Sequence, residues 1–64
     1  MKVHAEFKKG NYKMIVTSEN GVYTISAYFN GFLFNTFKTS DKQEAMEVYG
    51  YNMDLVLEAV AAGR

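Results

Sequence analysis

Apolar and polar side chains alternate through the first 38 residues of the chain and then change period. Val3, Ala5 and Phe7 alternate with Lys2, His4, Glu6 and Lys8, and Tyr12, Met14 and Val16 alternate with Lys13, Ile15 and Thr17. A period of two is that of a half-buried strand. Tyr23 to Phe37 then reads Y-T-I-S-A-Y-F-N-G-F-L-F-N-T-F, two apolar-rich runs joined by Asn30-Gly31. Asn-Gly is the strongest short hairpin signal, because a type I′ turn needs φ > 0 at both central residues. Asn20-Gly21 repeats it, and Lys9-Gly10-Asn11 supplies a third turn. The pattern predicts four strands, over residues 2–8, 12–18, 22–29 and 32–38.

Register tests these turns against one another, since a one-residue slip flips every side chain to the other face. A two-residue turn at Asn30-Gly31 sets Phe29 against Phe32, Ala27 against Phe34, and Ile25 against Thr36. The same turn at Asn20-Gly21 sets Val16 against Ile25, Met14 against Ala27, and Tyr12 against Phe29. One face then collects Val3, Ala5, Phe7, Tyr12, Met14, Val16, Tyr23, Ile25, Ala27, Phe29, Phe32 and Phe34. Agreement of three turns on one face predicts a four-stranded antiparallel β-meander.

That face needs a cover, and the period changes to supply one. Ser40 with Gln43 fits a capping box, and Asp41 and Glu44 suit the positive end of a helix. Residues from about 41 to 62 are good helix formers, and Gly63 is a natural stop. Ala45, Met46, Tyr49, Gly50, Met53, Val56, Leu57 and Val60 fall in one arc of roughly 140°. Gly50 leaves two readings. The helix breaks there and Asn52 caps a second one, or it continues and lies close to the sheet where Gly50 lacks a side chain. The continuous helix is preferred. The expected fold is α+β, a four-stranded meander followed by one C-terminal helix on one sheet face (ββββα), in a single domain over residues 1–64.

Composition narrows the functional classes. The chain has no cysteine and one histidine, so neither a disulfide staple nor an all-protein zinc site is expected. No apolar run nears the ~18 residues that cross a bilayer. Met1 to Glu6 lack the apolar region of a signal peptide, so a cytoplasmic location and no membrane partner are expected. Net charge is zero but unevenly placed: residues 1–38 hold five lysines against two glutamates, and residues 39–64 hold five acids against Lys42 and Arg64. That is a dipole, not the strong positive field of a committed duplex binder.

Catalysis needs clustered titratable groups in a pocket. His4 is expected on the open sheet face beside Glu6, as a solvated strand residue. Glu44, Glu47, Asp54 and Glu58 read as the solvated back of the helix. No phosphate loop, nucleophile elbow or metal-ligand spacing is present. No catalytic residue, cofactor or metal is therefore expected, and the chain is read as a non-enzymatic binding protein.

Apolar residues left outside the core carry the functional reading. On the predicted register the open sheet face holds Ile15, Tyr28, Leu33 and Phe37 with no helix to bury them. Val48, Tyr51 and Leu55 flank the apolar arc of the helix on its outer face. A contiguous apolar patch marks a contact surface, and an apolar edge strand around Phe32-Leu33-Phe34 invites pairing with another chain. The leading expectation is protein–protein contact, including a homodimer. The alternative is nucleic-acid binding on the open face, with Lys2, Lys8, Lys9 and Lys13 on phosphates and Tyr28 and Phe37 stacking on bases.

Residues 30–49, N-G-F-L-F-N-T-F-K-T-S-D-K-Q-E-A-M-E-V-Y, carry a resemblance. The turn, the strand ending in Thr36-Phe37, then Thr39, Glu44-Ala45 and Tyr49 resemble the end of AP2-type and integrase arm-type DNA-binding domains. That resemblance implies a sheet backed by a helix and inserted into the major groove. The element order is also similar to that of PC4-type single-strand binders, which implies dimerisation. In size and composition the chain resembles short phage or mobile-element proteins that bind and inhibit host factors.

Overall fold

Three two-residue turns set the architecture. Asn20 and Gly21 have φ of 52° and 78°, and Asn30 and Gly31 have 52° and 82°. Positive φ at both central positions is what a type I′ turn requires. Gly10 alone has positive φ in its turn, at 59°, the pattern of a type II′ turn. A computed structural model describes residues 1–63 of the chain, so Arg64, counted above in the acidic part, lies outside the described residues.

The turns join β1 (Lys2–Lys9), β2 (Tyr12–Glu19), β3 (Val22–Phe29) and β4 (Phe32–Thr39), which pair in chain order into one antiparallel sheet. Helix α1 (Lys42–Ala61) follows and packs on one face. The expected ββββα meander is the observed fold. The core is small: Met14, Val16, Ile25, Ala27, Ala45 and Val56 are buried, with Ala5, Phe7, Tyr12, Tyr23, Met46, Val48, Tyr49, Met53 and Val60 packed around them.

The two central strands keep the predicted register, with Tyr12 opposite Phe29, Met14 opposite Ala27 and Val16 opposite Ile25. Each outer strand departs from it by one residue. In β1, Val3 faces Thr17 and Ala5 faces Val16, which leaves His4 as the extra residue of a bulge. In β4, Leu33 faces Tyr28 and Asn35 faces Ala27, which leaves Phe34 as the extra residue. A bulge disrupts one ladder at an edge and two ladders in the middle of a sheet, so edges tolerate it best.

Beyond each bulge the alternation inverts. Val3 therefore leaves the helix-side face and joins Thr17 on the open one, and it is exposed. Lys2 moves the other way, opposite Ser18. Phe37 lies opposite Ile25, under the helix side, and not on the open face where strict alternation puts it.

The helix starts one residue later than the capping box predicts. Asp41, not Ser40, is the N-cap: its Oδ1 accepts from the backbone N–H of Gln43 (2.9 Å) and of Glu44 (3.4 Å). Thr39 Oγ1 accepts from the Asp41 N–H at 3.1 Å and donates to Glu44 Oε1 at 2.6 Å, which fixes the corner between strand and helix. The helix runs unbroken through Gly50. Asn52 caps nothing, and its Nδ2 donates to the Val48 carbonyl one turn back at 2.9 Å. A Cβ on Gly50 would meet nothing within 4 Å, so close approach to the sheet is not why glycine stands there.

Candidate functional site

The path of α1 decides which side chains are left for contact. It begins three residues beyond the end of β4 and ends over the opposite corner, where Val60 would touch a Cβ placed on Gly10 at 3.7 Å. The helix thus crosses the sheet on a diagonal. The triangle it leaves uncovered lies over the first half of β4, at the Asn30-Gly31 end.

Aromatic side chains fill that triangle. Tyr12 packs on Phe29 with ring centroids 4.8 Å apart, and Phe34 stands edge-on to Tyr12 at 6.4 Å. Phe32 and Phe34 are expected core residues that stay 77% and 57% exposed, because no helix turn reaches them. Between Phe34 and α1 lies an apolar groove of about 200 Å³, with Tyr12, Ala27 and Phe34 on the sheet side and Asn52, Leu55, Val56 and Ala59 on the helix side. Leu55 is 46% exposed at its rim, and Tyr51 stands one turn before it at 67%.

The open sheet face holds a second, more polar region. Ile15 lies beside Glu6 and Ser26, and Tyr28 lies between Lys13 and Leu33. Lys8 and Lys13 face each other across β1 and β2. The Lys13 ammonium is 3.5 Å from the Glu6 carboxylate and 5.9 Å from the centre of the Tyr28 ring.

The bulge in β1 redirects His4. Its Nε2 is hydrogen-bonded to Ser18 Oγ at 2.6 Å, and its ring lies 5.2 Å from that of Tyr23. Ser18 and Tyr23 are opposite one another on the helix side, so His4 is half-buried there and not solvated beside Glu6 on the open face. A Ser–His contact supplies a nucleophile–base pair, which catalysis completes with a third group that orients the base. Among the described residues no hydrogen bond to a carboxylate orients this histidine. No group of three His, Cys, Asp or Glu able to hold a metal ion occurs among the described residues. No described helix is long and apolar enough to cross a membrane.

The structure thus divides the expected contact residues. Ile15, Tyr28 and Leu33 share the open face, with Ile15 and Tyr28 half-buried by their neighbours and Leu33 53% exposed. Phe37 belongs to the other face. On the helix, Tyr51 and Leu55 are exposed as expected, but Val48 packs against the core and is not on the outer face. Of the candidate phosphate-binding lysines, Lys8 and Lys13 come together, whereas Lys2 and Lys9, opposite Ser18 and Tyr12, point to the helix side. The groove beside Phe34 joins residues that the sequence reading assigned separately to the core and to the helix surface.

No family model matches the chain, and neither a curated protein nor a solved structure matches it.

Proposed function

We propose that this protein is a non-enzymatic binding module that acts through protein–protein contact, with a second copy of itself as its first partner. One observation carries the reading: the diagonal helix leaves Phe34 and Leu55 exposed on an apolar groove, with Phe32 of β4 and Tyr51 of α1 also exposed. Aromatic anchors in an uncharged centre are the composition of an interface core. Phe32 through Phe37 and the groove residues carry no charge. A two-fold axis can therefore bring two uncharged groove centres together, with Glu58 beside Leu55 and Ala59 at the rim.

The mode of contact follows from the bulge at Phe34. A bulge twists an edge and interrupts its outward hydrogen-bonding groups. Side-chain packing in the groove, not a long intermolecular β-ladder, is the source of affinity. A core of six buried residues in so short a chain leaves stability marginal, and association adds burial that the monomer lacks. Sedimentation equilibrium over a range of concentrations tests the proposal. A mass rising from 7.3 kDa toward that of two chains supports it, and a mass constant at 7.3 kDa overturns self-association.

A further inference from the structure

On the sheet face away from the groove, Lys8 and Lys13 are directly opposite one another. Like charges in that position destabilise a strand pair. Only Lys13 has a counter-charge, the Glu6 carboxylate at 3.5 Å, and Lys8 has no ion pair among the described residues. No ion pair within the described fold therefore accounts for Lys8. The lysine pair does sit in a depression of about 350 Å³ lined by Lys8, Asn11, Tyr12, Lys13, Tyr28 and Gly31, a volume within the range of small-ligand sites. The floor is held in place. The N–H of Asn30 donates to the carbonyl of Asn11 at 2.9 Å and ties the two turn regions at this end of the sheet together.

Two ammonium groups, the Tyr28 ring and one carboxamide make a specific set, beside Tyr12, whose ring packs against Phe29. The paired lysines suit a phosphate, whose charge would turn their repulsion into attraction. The half-buried Tyr28 ring lines the depression with the Lys13 ammonium over it, 5.9 Å from its centre, and stacking of a planar base there requires that ammonium to swing onto the phosphate. The Asn11 amide supplies a donor and an acceptor for a base edge. We infer that this depression binds a nucleotide unit, with its phosphate between Lys8 and Lys13 and its base on Tyr28. The depression shares only Tyr12 with the groove beside Phe34, and the inference rests on Lys8, Lys13 and Tyr28, none of which lines that groove.

Amide chemical shifts of the labelled full chain at low salt test the inference, with three probes: thymidine monophosphate, a short oligothymidylate and inorganic phosphate. The expected result is that both nucleotide probes shift Lys8, Asn11, Lys13, Tyr28 and Gly31, and that added salt weakens the effect. Stacking makes thymidine monophosphate bind at least about fivefold more tightly than phosphate. Tyr28→Leu removes that margin and keeps phosphate binding. Lys8→Gln weakens all three probes while its melting temperature stays equal or rises, because the like-charge pair is gone. A loss of melting temperature in Lys8→Gln would assign the lysine a structural role and overturn the inference. An oligothymidylate that binds more tightly than the mononucleotide identifies single-stranded nucleic acid as the source of the ligand, and equal affinity identifies free nucleotide. Equal affinity for phosphate and thymidine monophosphate, or no shifts with any probe, overturns the inference.

Discussion

Phe34 stands edge-on to Tyr12, ring planes at 77° and centroids 6.4 Å apart, yet more than half of its surface stays exposed. Under the proposed self-association, this uncovered ring is part of the contact surface. Phe34→Ala should therefore cost the monomer little, about 1 kcal/mol or less, against the 3–5 kcal/mol typical of a buried Phe. The same change should abolish association. Chemical denaturation at concentrations where the chain is monomeric, together with the mass at higher concentration, checks both parts. A large monomer loss would instead make Phe34 a core residue.

Gly50 is half-buried in the middle of α1, its φ lies outside the left-handed region, and a Cβ there meets nothing within 4 Å. Glycine in a helix interior costs ~1 kcal/mol relative to alanine. Gly50→Ala should raise the melting temperature by about 4–8 °C, the shift that ~1 kcal/mol gives a domain of this size. A lower melting temperature would mean that the position needs its bare backbone.

Burial raises the Tyr49 hydroxyl above the ordinary value of 10.0, by penalising the charged form. The unfolded chain then releases this proton first as pH rises. Its contribution to stability is full below pH 10.0 and is lost as pH climbs through the raised value. Urea denaturation on either side of that pH should show stability falling on the alkaline side, and Tyr49→Phe should flatten the fall. An equal fall in Tyr49→Phe would assign it to other groups.

The fold was legible because three turns and a period of two agree on one face, and Ser40 to Glu44 mark where the period changes. Strict alternation does not reveal the two bulges. It misplaces the extra residue His4 and the residues beyond each bulge, which is why it puts Val3, His4 and Phe37 on the wrong faces. For β4 the signal is present in the sequence: Phe32, Phe34 and Phe37 are spaced by two and then by three, and the extra residue keeps all three aromatics toward the helix side. Nothing comparable marks His4. The groove was out of reach for a different reason. It depends on the diagonal path of α1, a tertiary property that no local period encodes, and so Phe32 and Phe34 read as core while Leu55 read as an unrelated surface.

The groove and the open face make opposite predictions for a matched pair of substitutions. Leu55→Lys places a charge at the groove rim, and Leu33→Lys places one on the open face. Both residues are about half exposed, so neither change should unfold the monomer. The most direct measurement is the sedimentation mass of these two variants beside the unsubstituted chain at the same concentration. Loss of association in Leu55→Lys with retention in Leu33→Lys is the predicted result, and loss in Leu33→Lys with retention in Leu55→Lys would contradict the groove as the interface.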